Sequence, residues 1–162
     1  MPGQLVAPPE GWVALSIKQP WAALIVAGLK SIEVRTWPTR RQGPVLIHAS
    51  KIPDDRPEGW ALVQTPEVQA LTELRGGILG LASLVDCREY ADAQAFAQDQ
   101  LLHRNALAWF RPPRLFGHVF EEARPLPFCP YPGQTLYFSV PNYDAAGSRN
   151  RKPRNDPPRS GD

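Results

Sequence analysis

The stretch LSIKQPWAALIVAGLKSIEVRTWPTRRQGPVLIHASK, Leu15 to Lys51, decides how the chain folds. Val13, Leu15 and Ile17 alternate with Ala14 and Ser16, the period of a half-buried strand. A short helix follows. Pro20 suits its first turn, Trp21, Leu24 and Ile25 form an i, i+3, i+4 apolar stripe, and Gly28 stands where a left-handed C-terminal cap belongs. Ser31 to Trp37 alternates again, which puts Glu33, Arg35 and Trp37 on one strand face and Ile32, Val34 and Thr36 on the other. After the basic turn PTRRQG, Pro38 to Gly43, the run Val45 to Ala49 reads as a third strand, with Pro44 tolerated at its start.

Outward from this core the pattern is less regular. Glu58 to Arg75 predicts a helix interrupted at Pro66, and Ile78 to Val85 predicts a buried strand entered through Gly76 and Gly77. Asp92 to Trp109 reads as mostly helical. Leu115 to Glu122 and Thr135 to Val140 read as two more strands separated by a proline-rich loop. About six short strands with a few helices, and no regular βαβ alternation, point to the α+β class and a small β-barrel with helical insertions. Proline, 19 of 162 residues against an average of about 5%, argues against long helices in the same way.

The length of 162 residues suits a single domain. Residues 12–143 are expected to form it, with residues 1–11 as a flexible leader and 144–162 as a disordered basic tail. The longest apolar run, Ala22 to Leu29, falls far short of the roughly 20 residues a bilayer span needs. Met1 to Gly11 has no Lys or Arg and no long apolar region, so no secretory signal is visible, and the expected location is cytoplasmic. Cys87 and Cys129 are accordingly expected as reduced thiols, and the three scattered histidines, His48, His103 and His118, do not approach zinc-ligand spacing.

The net charge of +2 is accounted for by the tail, so the body of the chain is neutral. Its charges are unevenly spread. Trp12 to Lys51 carries Lys18, Lys30, Arg35, Arg40, Arg41 and Lys51 against Glu33 alone, a net of +5, whereas Ile52 to Tyr143 carries seven basic and eleven acidic residues, a net of −4. Such asymmetry predicts an anion-binding face if the fold gathers those cations.

The densest constellation is GLKSIEVR, in which Gly28, Lys30, Glu33 and Arg35 follow the order G-x-K-x-x-E-x-R. A capping glycine turns the chain sharply, so Lys30 is expected in the turn while Glu33 and Arg35 project from the strand beyond it. A carboxylate beside an ammonium stabilises both charged forms, which predicts a protonated Lys30, a poor nucleophile but a good phosphate or carbonyl ligand. Arg35 adds a planar donor fork, and Trp37 on the same face offers a ring for stacking. A structural salt bridge at a barrel edge, with Trp37 in the core, would use the same spacing. Arg40 and Arg41, beside Trp37, are the best candidates for phosphate contact, and Lys18 adds a further cation. His48, between Ile47 and Ala49, is expected to be a satisfied strand histidine rather than a catalyst, and Asp86 a solvated strand end.

Leu15 to Lys51 resembles the ASCH domain, whose signature is this G-x-K-x-x-E-x-R with QPWA, Gln19 to Ala22, as its neighbour. The likeness continues through Ile78 to Cys87, Leu115 to Pro127 and Gly133 to Pro141. It implies a PUA-like β-barrel with a cleft formed by Lys30, Glu33 and Arg35. Members of that superfamily bind RNA, and relatives are linked to transcription coactivation, single-stranded RNA cleavage and hydrolysis of N4-acetylcytidine. In the bacterial amidohydrolases similar to this family a threonine nucleophile stands three positions after the signature lysine, and here that position is Glu33.

The leading expectation is therefore a domain that binds single-stranded RNA or a nucleotide-like ligand, with Lys30, Glu33 and Arg35 in the cleft and Trp37, Arg40, Arg41 and Lys18 around it. No metal or organic cofactor is implied. The alternative is a metal-independent ribonuclease or nucleoside amidohydrolase in the same cleft, with Lys30 and Glu33 as its catalytic pair. A coactivator-like interaction module is the third reading.

Overall fold

The computed structural model describes residues 5–144, so residues 1–4 of the expected leader and all but Asp144 of the basic tail expected over 144–162 lie outside the described residues. Strand β1 (Val13–Ile17) leads into helix α1 (Trp21–Val26), strand β2 (Ile32–Arg35) and strand β3 (Gly43–Ala49). Helices α2 (Pro57–Trp60) and α3 (Pro66–Thr72) precede the long strand β4 (Gly77–Tyr90). Helices α4 (Ala93–Gln98) and α5 (Gln100–His103) and a 3₁₀ turn (Leu107–Trp109) lead to strand β5 (Leu115–Pro130) and strand β6 (Tyr137–Ser139).

The six strands form one sheet in the order β2-β5-β4-β3-β1-β6, antiparallel except for the parallel β1–β3 pair. The ladder does not close, but side chains join its two ends. His118 of β5 donates from Nε2 to the Trp37 carbonyl at 2.9 Å, which leaves Nδ1 to accept from the Tyr137 hydroxyl of β6 at 2.7 Å. Trp37 packs edge-on against both rings, at 4.8 and 5.6 Å between centroids. Arg35 of β2 reaches across to β1, where Nη2 donates to the Ser16 carbonyl at 3.0 Å. Register shifts at three places in the β4–β5 ribbon supply the bends a barrel-like sheet requires.

Alternation alone leaves Ala14 facing solvent, yet it is fully buried. Strand β1 is interior to the sheet and has a core on each face. Leu15 and Ile17 join α1, Val45, Leu79 and Phe120 in one, while Ala14 joins Trp12, Leu46, Ile78 and Phe138 in the other. Helix α1 is likewise buried all round rather than along a stripe. Gly80 explains how it approaches so closely, since a Cβ there would run into a Val26 methyl. Gly28 leaves the helix at φ +78, the left-handed exit its position predicts.

Two of the later elements differ from their sequence reading. The helical stretch after residue 92 breaks into two short helices and a 3₁₀ turn, because Arg104 adopts φ 61 and stops α5. Strand β5 runs through the prolines expected to form a loop. The four residues of β2 pair only with Phe116 to Val119, so beyond them β5 has β4 as its one ladder neighbour, and a missing N–H on its other side costs no ladder bond.

Candidate nucleic-acid interface

The gathering of the ends of β1 and β2 opens a cavity of about 520 Å³, within the usual size of small-ligand sites. Glu33, Val34, Arg35 and Trp37 line one side, so Val34, read on the opposite strand face, joins them and Trp37 lies beyond the end of β2, with Lys18 and Ser16 from β1 and its exit beside them. Trp21 and Trp109 form further walls, and Gln134, Thr135 and Leu136 come from the segment before β6.

Glu33 is only 9% exposed, and its Oε2 has no hydrogen-bond partner among the described residues. Its Oε1 lies 3.8 Å from Arg35 Nε, too far for a hydrogen bond. Arg35 is held by Nη2 on the Ser16 carbonyl, but its Nε, also shielded, has no hydrogen-bond partner among the described residues. An unpaired buried polar atom costs about 1–3 kcal/mol, so a free acceptor and a free donor side by side mark this edge as one that a further group would satisfy.

Lys30 is placed differently from its expectation. It is 2% exposed and lies beneath the cavity rather than on its wall. Its Nζ donates to the His103 carbonyl and to Asn105 Oδ1, the latter at 2.9 Å, and sits 4.9 Å from the centre of the Trp21 ring. Burial pulls its pKa down to about 8, with the Arg35 charge acting in the same direction and Glu33 opposing both. The carboxylate's support is thus real but outweighed by desolvation. Asn105 does line the cavity, so Lys30 acts on the site by holding that side chain.

The wall opposite β2 was not legible in the sequence. Asp54, 5% exposed, accepts from Trp21 Nε1 at 2.9 Å and from the Arg56 guanidinium at 2.8 Å. Burial alone would raise its pKa, but the hydrogen bonds from Arg56 and Trp21 outweigh it and hold the carboxyl well below the usual carboxylate range. Arg56 in turn lies over the Trp109 ring, 3.4 Å from its centre. The pair fixes two aromatic walls, which pack edge-on at 5.6 Å, and sets a cation over the Trp109 face. Only the D-x-R spacing of Asp54 and Arg56 could have signalled it, and that spacing is common.

A family model for the ASCH domain matches residues 15–138. The chain belongs to the ASCH domain family. Activating signal cointegrator 1 from Homo sapiens and from Mus musculus are each 34% identical over 84 residues, 48% of this chain. The match covers 14% of either relative's length, so this chain corresponds to a small part of them. The solved structure of ASCH from Zymomonas mobilis superposes with a TM-score of 0.58 at 12% identity, covering 80% of this chain and 87% of that one. Two single-residue variants of that protein match with TM-scores of 0.57 and 0.58. The shared feature is the fold, a barrel-like sheet with short helices.

In this ASCH domain Arg40 and Arg41 line a second, open hollow of about 590 Å³ that adjoins the first across Trp37 and Leu136. Arg41 lies 5.8 Å from the centre of the Tyr137 ring. Lys51, the remaining cation of the basic segment, runs along Gly76 instead. The three histidines are internal. His48 donates from Nε2 to the Tyr131 carbonyl at 2.7 Å and accepts at Nδ1 from Ser16 Oγ, the satisfied strand histidine its sequence predicts. His103 stacks on Phe96 at 4.1 Å and accepts from the Asn105 N–H. Burial lowers the pKa of all three. Asp86 is exposed at a strand bend. Cys87 and Cys129 are free thiols, and among the described residues no His, Cys, Asp or Glu cluster is arranged to hold a metal. Among the same residues no helix is long and apolar enough to cross a membrane.

Proposed function

We propose that this ASCH domain binds single-stranded RNA or a nucleotide-like ligand, with a base in the cavity beside Glu33 and Arg35 and the backbone running over Trp37 toward Arg40 and Arg41. The observation that carries the reading is the shielded Glu33–Arg35 edge, which has hydrogen-bonding capacity left over at an aromatic-walled opening. Bases stack on aromatic rings at about 1–3 kcal/mol each, and cations beyond the ring wall suit the phosphates that follow. Lys18 lines the same cavity and Arg40 and Arg41 the adjoining hollow, so the cations of the basic segment that stay near the site lie along one path. Lys30 supports the site from below through Asn105.

The hydrolytic alternative draws less support from the geometry. Its lysine is turned under the floor onto the His103 carbonyl and Asn105, away from any ligand in the cavity. The coactivator-like reading rests on the name of the mammalian relatives, which match over a small part of their length.

The test is the salt dependence of affinity for a labelled mixed-sequence single-stranded RNA. With Lys18, Arg40 and Arg41 each meeting a phosphate, log affinity should fall against log salt with a slope of about −2, at roughly −0.7 per contact. A flat response contradicts the proposal.

A further inference from the structure

The unpaired groups at the cavity edge have a definite hydrogen-bonding character, and that character names a base. Arg35 Nε is a donor, and Glu33 Oε1 lies 3.8 Å from it. Glu33 accepts no hydrogen bond from any described residue, so both carboxylate oxygens have acceptor capacity left over. The edge therefore combines a guanidinium with a carboxylate that offers two acceptors.

An ionised carboxylate has only acceptors, so it pairs best with two adjacent N–H donors. Guanine alone among the four standard bases presents them: its Watson–Crick edge runs O6, N1–H, N2–H, which is acceptor, donor, donor. Adenine and cytosine offer one amino donor next to a ring-nitrogen lone pair, which would face the second carboxylate oxygen. Uracil offers one N–H flanked by two carbonyls, and each would be turned toward an anion. Charge-assisted paired bonds of this kind are the strong and selective ones.

We propose that the base taken up by this cavity is guanine, held by Glu33 through N1–H and N2–H, with O6 turned toward the Arg35 guanidinium. The inference rests on the nucleic-acid reading above and sharpens it. Oε2 and Nε are shielded in the ligand-free state, and the broad terminal torsion of a carboxylate lets Oε2 turn outward as the base edge arrives. Arg35 stays anchored meanwhile, because its Nη2 is fixed on the Ser16 carbonyl. Trp21, Trp37 and Trp109 line the space the ring would enter, which makes their emission the natural reporter.

The experiment is a tryptophan-fluorescence titration of the full chain with the 5′-monophosphates of guanosine, adenosine, cytidine, uridine and inosine, and with 7-deazaguanosine monophosphate. GMP should bind at least about tenfold more tightly than AMP, CMP or UMP, the discrimination expected of one good bidentate pair. Inosine monophosphate, which lacks the 2-amino group, should bind several-fold more weakly than GMP, while the 7-deaza analogue should match GMP. Glu33→Gln should bring the four standard bases to within about twofold of one another. The analogue comparison uses the unaltered protein, so it holds even if that variant folds poorly. Equal affinities for all bases, inosine monophosphate binding as well as GMP, or no response to any mononucleotide by a protein that binds mixed-sequence RNA would each overturn guanine and leave RNA binding standing. Failure to bind the RNA as well would overturn the parent reading.

Discussion

His118 on β5 accepts the Tyr137 hydroxyl of β6 at 2.7 Å and so ties together two parts of the sheet that its ladder leaves apart. The bond stands directly behind Trp37, whose ring touches both side chains. Drawing the open sheet together and placing one cavity wall therefore rest on the same contact.

Tyr137→Phe keeps the ring and removes the donor, leaving a buried imidazole nitrogen unpaired. The cost should be about 1–3 kcal/mol in urea unfolding, with RNA affinity falling in step as Trp37 loosens. Unchanged stability would mean that the sheet ends are held by packing alone.

Acid should destabilise the domain in two stages. His48, His103 and His118 have folded pKa values below the ordinary 6.5, so the unfolded chain binds more protons once the pH drops past that value. Stability is then lost at up to about 1.4 kcal/mol per pH unit for each histidine that takes up its proton only on unfolding. Asp54 acts lower down: its carboxyl is depressed from 3.8, so its contribution is present above that pH and is lost as the pH falls further. Denaturant midpoints measured from pH 7.5 to pH 3 should fall throughout. A plateau between pH 6.5 and 4.5 would contradict the assignment of neutral, buried histidines.

Lys30 should titrate below the ordinary lysine range. Its pKa of about 8, against 10.5 for a free side chain, should appear as a separate side-chain transition in lysine-selective NMR. Between those two values the unfolded state holds a proton that the folded state has released, so this group makes the fold more stable as the pH rises. Lys30→Met removes the donor and strands the His103 carbonyl and Asn105 Oδ1, at a cost of about 3 kcal/mol. RNA affinity should fall by less than about tenfold, because the ammonium supports the cavity without lining it.

Arg40 and Arg41 should divide from the cavity residues in their signature. Replacing both by Ala should shallow the salt slope by about 1.4 and leave unfolding midpoints unchanged. Trp109→Ala should leave the slope intact and weaken binding at every salt concentration, by roughly 1–3 kcal/mol for a lost stacking wall. The same change in slope for both variants would argue against separate base and phosphate subsites.

Much of the frame is legible in the sequence because it is local. Alternation identifies β1 and β2, the run Val45 to Ala49 marks β3, the stripe and Gly28 bound α1, and the signature places Glu33 and Arg35 on β2, where both line the cavity. What escapes is set by distant partners. Lys30 reads as a turn residue until its Nζ meets groups 73 and 75 residues away, contacts that no periodicity encodes. The Asp54–Arg56–Trp109 wall depends on the same kind of long-range meeting. The prolines of β5 look like a loop because the signal for a strand with one ladder neighbour lies in the shortness of β2, a different segment.

The central claim is that nucleic acid enters between β2 and the Arg56–Trp109 wall, and amide and indole NMR shifts on adding a short single-stranded RNA test it most directly. The indole signals of Trp37 and Trp109 and the amides of Glu33 and Arg35 should move together and saturate with one affinity, while the α3 amides of Val68 to Thr72 stay in place. Saturable shifts confined to surfaces away from the cavity, with those four signals unmoved, would contradict the account.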